Sequence, residues 1–377
     1  MQKPLLPFSP LARSADEALT SFFPYVNSKP KICLIHTGGT IGMIQNADGV
    51  LCPPESPLDL PRLAPELEQV AEIDSVPLLN KDSTNITPAD WTTMAHAIFE
   101  RRHRGYDGFV ITHGTDTMPF SAAALTFALG PKLFFPVILT GAQAISGVVH
   151  GDARINLVRA VHAALSNLSE VAIVFGNHIF RGCRTRKKDY RSFDAFHSPA
   201  IPPIGEFTAE ILLHGHAKRR PDPNDIADID LRPDFAAGIL PITLIPGLEP
   251  DIFEPIIRSE DCKGVIVQAF GAGNLPNQPP YSFEHLIRLS TQLGKPVLIT
   301  TQETTHSTAG RSYAPGFDAL QAGAIPAGNM THPAASVKFH WVLAEIEKNI
   351  QENALDPAEK IRLTKEKMRA CYVSEMD

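Results

Sequence analysis

Phe109-Val110-Ile111-Thr112-His113-Gly114-Thr115-Asp116-Thr117-Met118 joins an apolar run to a small polar cluster and then to a helical pattern. Gly108 to Ile111 predicts a buried parallel strand, and Met118 to Ala128 predicts the helix that follows it. Such a strand delivers Thr115 and Asp116 at its carboxyl end, the edge at which open α/β sheets bind ligands. A hydroxyl, a carboxylate and free backbone N–H groups then lie within one turn. The same residue types also serve a plain helix N-cap, and this stretch by itself leaves both readings open.

A second stretch has the same form. Lys31-Ile32-Cys33-Leu34-Ile35-His36-Thr37-Gly38-Gly39-Thr40-Ile41-Gly42 reads as a strand, a tight turn and a polar hydroxyl. Paired glycines permit dihedrals closed to other residues and let backbone approach a ligand closely. A phosphate loop is disfavoured, because no Gly-Lys-Ser/Thr follows and the three-glycine dinucleotide spacing is absent.

Around these two stretches the chain alternates. Expected strands are Ile73–Leu79, Pro136–Thr140, Val171–Phe175, Gly238–Leu244, Gly264–Gln268 and Pro296–Thr301. Expected helices are Leu60–Val70, one opening at Thr87 with Pro88 and Asp90 behind it, one from Asp152, and ones beginning near Glu249 and Phe283. Two late helices, Ala334–Glu347 and Pro357–Ala370, close the chain, and Asn46-Ala47-Asp48-Gly49 marks a hairpin or loop beside the first glycine turn. The alternation predicts an α/β protein of two domains. The larger is an N-terminal parallel sheet, doubly wound and flavodoxin- or Rossmann-like, and the smaller is a C-terminal α/β domain. The expected boundaries are an extension at 1–30, a first domain at 31–205, a proline-rich connection at 206–236 and a second domain at 237–377.

At 377 residues the chain exceeds the size of one ordinary core. Its net charge of −7 and pI near 6.1 argue against a nucleic-acid-binding surface, which would want a basic stripe. Five scattered cysteines without a CxxC pair fit neither a disulfide framework nor a structural zinc site, and point to a reducing cytoplasm. Prolines and charges interrupt any leader-like run near the start, and no stretch reaches membrane-spanning length. His214-Gly215-His216 lacks an acidic or cysteine partner at ligand spacing, so no metal is expected. His36, His113 and His150 lack a Gly-x-Ser-x-Gly elbow, and a Ser-His-Asp triad is rejected.

Together, Thr37-Gly38-Gly39-Thr40-Ile41-Gly42 and His113-Gly114-Thr115-Asp116-Thr117-Met118 resemble the two signature motifs of the bacterial-type L-asparaginase family. Asp82-Ser83-Thr84 with Thr87-Pro88-Ala89-Asp90-Trp91 resembles its substrate-carboxylate segment. Arg181-Gly182-Cys183-Arg184-Thr185-Arg186-Lys187 with Phe193-Asp194-Ala195-Phe196 resembles its catalytic-lysine segment. The details are most similar to the cytosolic type I branch, and the resemblance runs from about Lys31 to the C-terminus.

The resemblance implies hydrolysis of L-asparagine to L-aspartate and ammonia. It gives the acyl-carrying role to Thr40 and makes Thr115, Asp116 and Lys187 a hydroxyl–carboxylate–amine set. Asp116 would hold the substrate α-ammonium, and Ser83, with backbone around Asp82 and Thr84, its α-carboxylate. No cofactor is implied. Gly271-Ala272-Gly273-Asn274 resembles a segment that meets a neighbouring subunit's site, which implies a homodimer or homotetramer. Two departures stand out. Val50 occupies the place of a tyrosine whose phenol assists the nucleophile, so a weak or silent relative that binds an amino acid or a partner is the alternative reading. Arg186, Gln268 and Glu303 replace the Thr, Arg and Cys of the type I allosteric site, which is expected to be lost or altered.

Overall fold

The computed structural model describes residues 29–45, 48, 51–52, 64–145, 148–303, 314–353 and 356–377. The expected extension up to residue 28, Val50, and the start of the expected 60–70 helix lie outside these residues.

Strand β1 (Lys31–Gly38) is buried along its interior, and its turn leads to a short antiparallel ribbon of β2 (Ile44–Gln45) and β3 (Leu51–Cys52). Of the helix expected at 60–70, one turn is described, α1 (Leu67–Val70). Strand β4 (Glu72–Lys81) is mixed in exposure because it lies at the sheet edge, which also tolerates Pro77. Helix α2 (Pro88–Phe99) starts on a capping box in which Asp90 accepts from the Thr87 backbone N–H, with Pro88 in the first turn. Then come β5 (Gly108–Thr112), α3 (Met118–Leu129), β6 (Val137–Thr140), α4 (Ala153–Leu165) and β7 (Val171–Phe175).

The parallel strands lie in the order β4-β1-β5-β6-β7, the doubly wound arrangement in which the second strand flanks the first on its outer side. The chain reverses direction across the sheet between β1 and β5. At this switch point, where open α/β sheets hold their ligand crevice, the turns after β1 and β5 meet at the carboxyl edge, Gly39 against Gly114.

The sheet does not stay parallel. Strands β8 (His178–Arg181), β11 (Gly205–Phe207) and β12 (Ile211–Leu213) extend it antiparallel beyond β7, to eight strands. The reason is local: Gly176-Asn177 is a two-residue hairpin connection, too short for a crossover. Between them β9 (Arg186–Lys187) and β10 (Phe196–His197) form a small ribbon. Residues 206–207 and 211–213, expected to open the connection, are thus strands of this sheet, and the prolines around them lie in the turns and extended links outside the strands.

The second sheet is parallel, in the order β13 (Ile239–Thr243), β14 (Gly264–Ala269), β15 (Val297–Thr301), β16 (Ile325–Pro326). Its helices are α5 (Glu254–Arg258), α6 (Glu284–Gln292) and α7 (Ala314–Gln321); α7 and β16 were not anticipated. Helices α8 (His332–Asn353) and α9 (Pro357–Arg369) follow.

Every residue of α3 except Phe120 is buried, as its apolar circumference requires. It is sandwiched between the first sheet and α8, and Phe127 stacks on Trp341 with ring centroids 5.7 Å apart. One apolar cluster runs from Cys33 and Ile111 through Phe127 to Ile266 and Leu298, so the two α/β domains share a core.

Two packing details fix the crevice. Gly39 has φ +86°, and a Cβ there would lie 2.3 Å from the Gly114 nitrogen. Behind the crevice, His113 is fully buried: Nδ1 bonds the Gly114 carbonyl at 2.7 Å, and Nε2 meets the Ser121 hydroxyl at 2.8 Å, which also accepts from Trp91 Nε1 at 3.1 Å. This network places the proton on Nδ1. Burial holds the imidazole neutral and depresses its pKa to about 4.

Gly39→Ala adds a side chain where backbone stands. The urea midpoint is expected to fall by a loss of about 1–3 kcal/mol, with the m-value unchanged. An unaltered midpoint would show that the glycine contact is soft.

His113 binds a proton near pH 6.5 when unfolded and only near pH 4 when folded, so its contribution is complete above pH 6.5 and shrinks on acidification. Between pH 7 and 5 it removes about 2 kcal/mol of stability. His332, also depressed to about 4 by burial, adds a loss of the same sign. Equal urea midpoints at the two pH values would contradict this.

Candidate active site

The crevice is lined by three turns that follow β1, β4 and β5. Thr40, partly exposed, begins the single 3-10 turn after β1. The Gly39–Gly114 contact sets that turn against the one carrying Thr115. Asp82 and the 3-10 turn Ser83–Asn85 follow β4. Ser83 is buried against Gly114, where a Cβ would lie 2.5 Å from its hydroxyl oxygen. The Thr117 hydroxyl donates to the Ser83 carbonyl at 2.7 Å. Two of the turns thus meet backbone to backbone, and the third is tied to them through the Ser83 and Thr117 hydroxyls.

Lys187 comes from far along the chain. Its Nζ donates to Thr115 Oγ1 at 2.7 Å and to Asp116 Oδ1 at 2.6 Å. Lys187 and Thr115 are largely buried, whereas Asp116 is 58% exposed and open to a ligand. The β9–β10 ribbon holds the lysine backbone opposite Phe196, and Phe196 packs on Phe175 with centroids 5.0 Å apart.

The structure thus joins Thr115, Asp116 and Lys187 by direct hydrogen bonds. Thr40 and Ser83 stand on the adjoining turns. Asp82 and Thr84 spend polar atoms on each other: Asp82 Oδ1 accepts from the Thr84 backbone N–H at 2.8 Å and from its hydroxyl at 2.7 Å. Beside them Lys81 pairs with Asp90 at 2.7 Å, and the lysine and the Thr87 cap hold the Asp90 carboxyl below its ordinary pKa despite partial burial.

Gln143 belongs to this constellation and was not singled out from the sequence. Its Oε1 accepts from the Thr115 hydroxyl at 3.2 Å, and its Nε2 reaches the Asp189 and Ser192 carbonyls at 3.2 and 3.3 Å. The buried Asp152 carboxylate accepts from the backbone N–H groups of Gln143 and Ala144. The available signal was its place just past β6, whose carboxyl end adjoins that of β5.

At the positions aligned with an allosteric site, Arg186 Nη1 reaches the Glu303 carbonyl at 3.4 Å, and Gln268 Oε1 accepts from Thr243 at 2.7 Å. The Gly271–Asn274 segment is a tight turn closed by a bond from Asn274 N to Phe270 O at 2.8 Å. The His214 and His216 rings bond the Pro203 and Pro202 carbonyls. Among the described residues no group of three or more His, Cys, Asp or Glu side chains could hold a metal ion, and no helix is long and apolar enough to cross a membrane.

Comparison with known proteins agrees with this architecture. The family model for the N-terminal asparaginase domain matches residues 31–219, and that for the glutaminase/asparaginase C-terminal domain matches 239–353. L-asparaginase 1 of Escherichia coli K12 is 33% identical over 325 residues, 84% of this chain and 93% of its own length. The thermostable L-asparaginase of Thermococcus kodakarensis superposes with a TM-score of 0.79 at 30% identity, covering 92% of this chain and 99% of that one. L-asparaginase I of Vibrio cholerae gives 0.78 at 30% identity, covering 93% of this chain and 100% of its own. The two sheets, the paired turns and these matches place the chain in one family: it belongs to the asparaginase family of amidohydrolases.

Proposed function

We propose that the protein hydrolyses L-asparagine to L-aspartate and ammonia, with Thr40 as nucleophile and Thr115, Asp116 and Lys187 as the set that moves its protons. The observation that carries this reading is the Lys187 ammonium held at once on Thr115 and on Asp116. A free amino acid offers a cation and an anion at one carbon. Asp116 is the exposed carboxylate at the crevice for the α-ammonium. Ser83 and the backbone around Asp82 and Thr84 serve the α-carboxylate.

Substrate binding and proton transfer are coupled in this arrangement. A bound α-ammonium would share the Asp116 carboxylate with Lys187. A proton passes between Thr115 and Lys187 across their short contact, as the hydroxyl turns away from Gln143. The Thr40 oxygen then attacks the side-chain amide carbon, its proton passes to the leaving nitrogen, and ammonia departs. Water cleaves the resulting ester, releasing aspartate and restoring Thr40. Each step is proton transfer and acyl transfer, which the polar side chains present can carry without a cofactor.

The test is ammonia release from asparagine, with glutamine and small asparaginyl peptides in parallel. Thr40→Ala, Thr115→Ala and Lys187→Met are each expected to lower turnover by about 10²–10⁴ while circular dichroism stays unchanged. Full activity in Thr115→Ala would overturn the two-threonine mechanism. Val50, outside the described residues, lacks the phenol of the family pattern, so Val50→Tyr is expected to raise the rate. If wild type and Val50→Tyr both bind aspartate and neither releases ammonia from any small amide, the protein is an amino-acid binder.

The Gly271–Asn274 turn supports a shared site, and we place the protein in the cytoplasm as a two-fold symmetric homodimer or dimer of dimers, with no nucleic-acid or membrane partner. Light scattering at micromolar concentration is expected to show a dimer or tetramer; a monomer would contradict it.

A further inference from the structure

Beyond residue 353, where the family match stops, α9 packs on α8 and α6, and the segment 371–377 continues to the first domain. The segment is tied from within by a buried ion pair. Lys338 and Glu375 are both fully buried with Nζ to Oε1 at 2.5 Å. Lys338 also donates to the Met368 and Ala370 carbonyls, and the Glu375 carboxylate accepts from the backbone N–H groups of Tyr372 and Val373. A buried pair persists only when its remaining donors and acceptors are satisfied in this way. Tyr372 stacks on Trp341 with centroids 5.0 Å apart, which anchors the segment to the shared core.

Its outer face grips the strand of chain that leads to Lys187. Arg184, with a side chain 2% exposed, donates from Nε to the Ser374 carbonyl at 2.8 Å and from Nη2 to Asp377 Oδ1 at 2.9 Å. Cys183 Sγ faces the Val373 carbonyl at 3.7 Å. Asp377 is itself held by Asn329, which donates from Nδ2 to Oδ2 and accepts from the Asp377 N–H. The Arg184 carbonyl accepts from the Ser198 hydroxyl at 3.0 Å, and β9 begins two residues later. The lysine segment is therefore pinned downstream by β10 and upstream by residues 373–377, which lie about 190 positions away in sequence.

We propose that segment 371–377 is a clasp that positions Lys187 for catalysis, with Arg184 as the positioning residue it holds. The inference rests on the reading of Lys187 as a catalytic residue. Lys187 must meet two acceptors at once, and a displacement of about 1 Å at such a group costs up to about 10²-fold in rate. The clasp supplies the upstream constraint, and Asp377 supplies the countercharge that a nearly inaccessible guanidinium requires.

The experiment compares Asp377→Ala, Asp377→Asn and Asp356→Ala in the full chain, alongside Lys187→Met. Asp356 caps α9 by accepting from the Glu359 N–H and touches neither Arg184 nor the crevice, so Asp356→Ala weakens the same region without opening the clasp. Asp377→Ala is expected to lower kcat by about 10- to 100-fold with KM within about twofold, and to speed amide hydrogen exchange at 184–188. Asp377→Asn keeps one acceptor but removes the charge, so its kcat is expected to fall between those of Asp377→Ala and wild type, whereas Asp356→Ala keeps wild-type kcat. If Lys187→Met is inactive while Asp377→Ala matches Asp356→Ala in kcat and exchange, the clasp is refuted and the catalytic reading survives. If Lys187→Met keeps wild-type activity, that reading fails and the clasp falls with it.

Discussion

Backbone meets backbone where Gly39 lies against Gly114, and the crevice takes its shape from that contact. Neither chain could approach so closely with a side chain on Gly39, whose positive φ is itself a conformation that other residues resist. Once the two turns touch, the residues that follow them, Thr40 and Thr115, are held on adjacent rims. The third turn joins through Ser83, which fills the space beside Gly114 and accepts a bond from Thr117. Rigidity here comes from the main chain and from two short hydroxyl side chains. A crevice built this way holds its polar groups in place before any ligand arrives, the condition under which electrostatic stabilisation is most effective.

Lys187 has a different kind of support. It sits on a two-residue strand, and a ribbon so short has little stability of its own. Its position depends on Phe196 packed on Phe175 behind it and on Arg184 held by the C-terminal segment before it. The lysine is thus steadied both by the first domain's aromatic packing and by the C-terminal segment. Gln143 adds a further tie, since it links Thr115 to the loop at 189–192 that follows the lysine.

The shared core explains how parts so distant in sequence keep register. Helix α3 is apolar around its whole circumference and must be covered on every side, which a single sheet cannot do. Helix α8 covers the remaining face, and α8 belongs to the second domain. Burial of large side chains such as Phe127, each worth about 1.5–3 kcal/mol, therefore stabilises the domain contact as well as the first domain. The same helix carries Trp341 and Lys338, the two anchors of the C-terminal segment.

By itself the sequence determined the α/β class, the strands that end in Gly38-Gly39-Thr40 and Gly114-Thr115-Asp116, and the helix starts at Thr87 and Asp152. These rest on local periodicity, on caps and on glycine, which act within a few residues. It also contained the Gly176-Asn177 hairpin that turns the sheet antiparallel, a local signal obscured by the expectation of continued alternation. The order β4-β1-β5, the recruitment of Gln143 to Thr115, and the meeting of Arg184 with Ser374 and Asp377 were decided only by the tertiary structure. Those pairings join residues between 28 and 193 positions apart. Which distant groups meet depends on how α3 and α8 bury their apolar faces together, and no pattern within one segment records that choice.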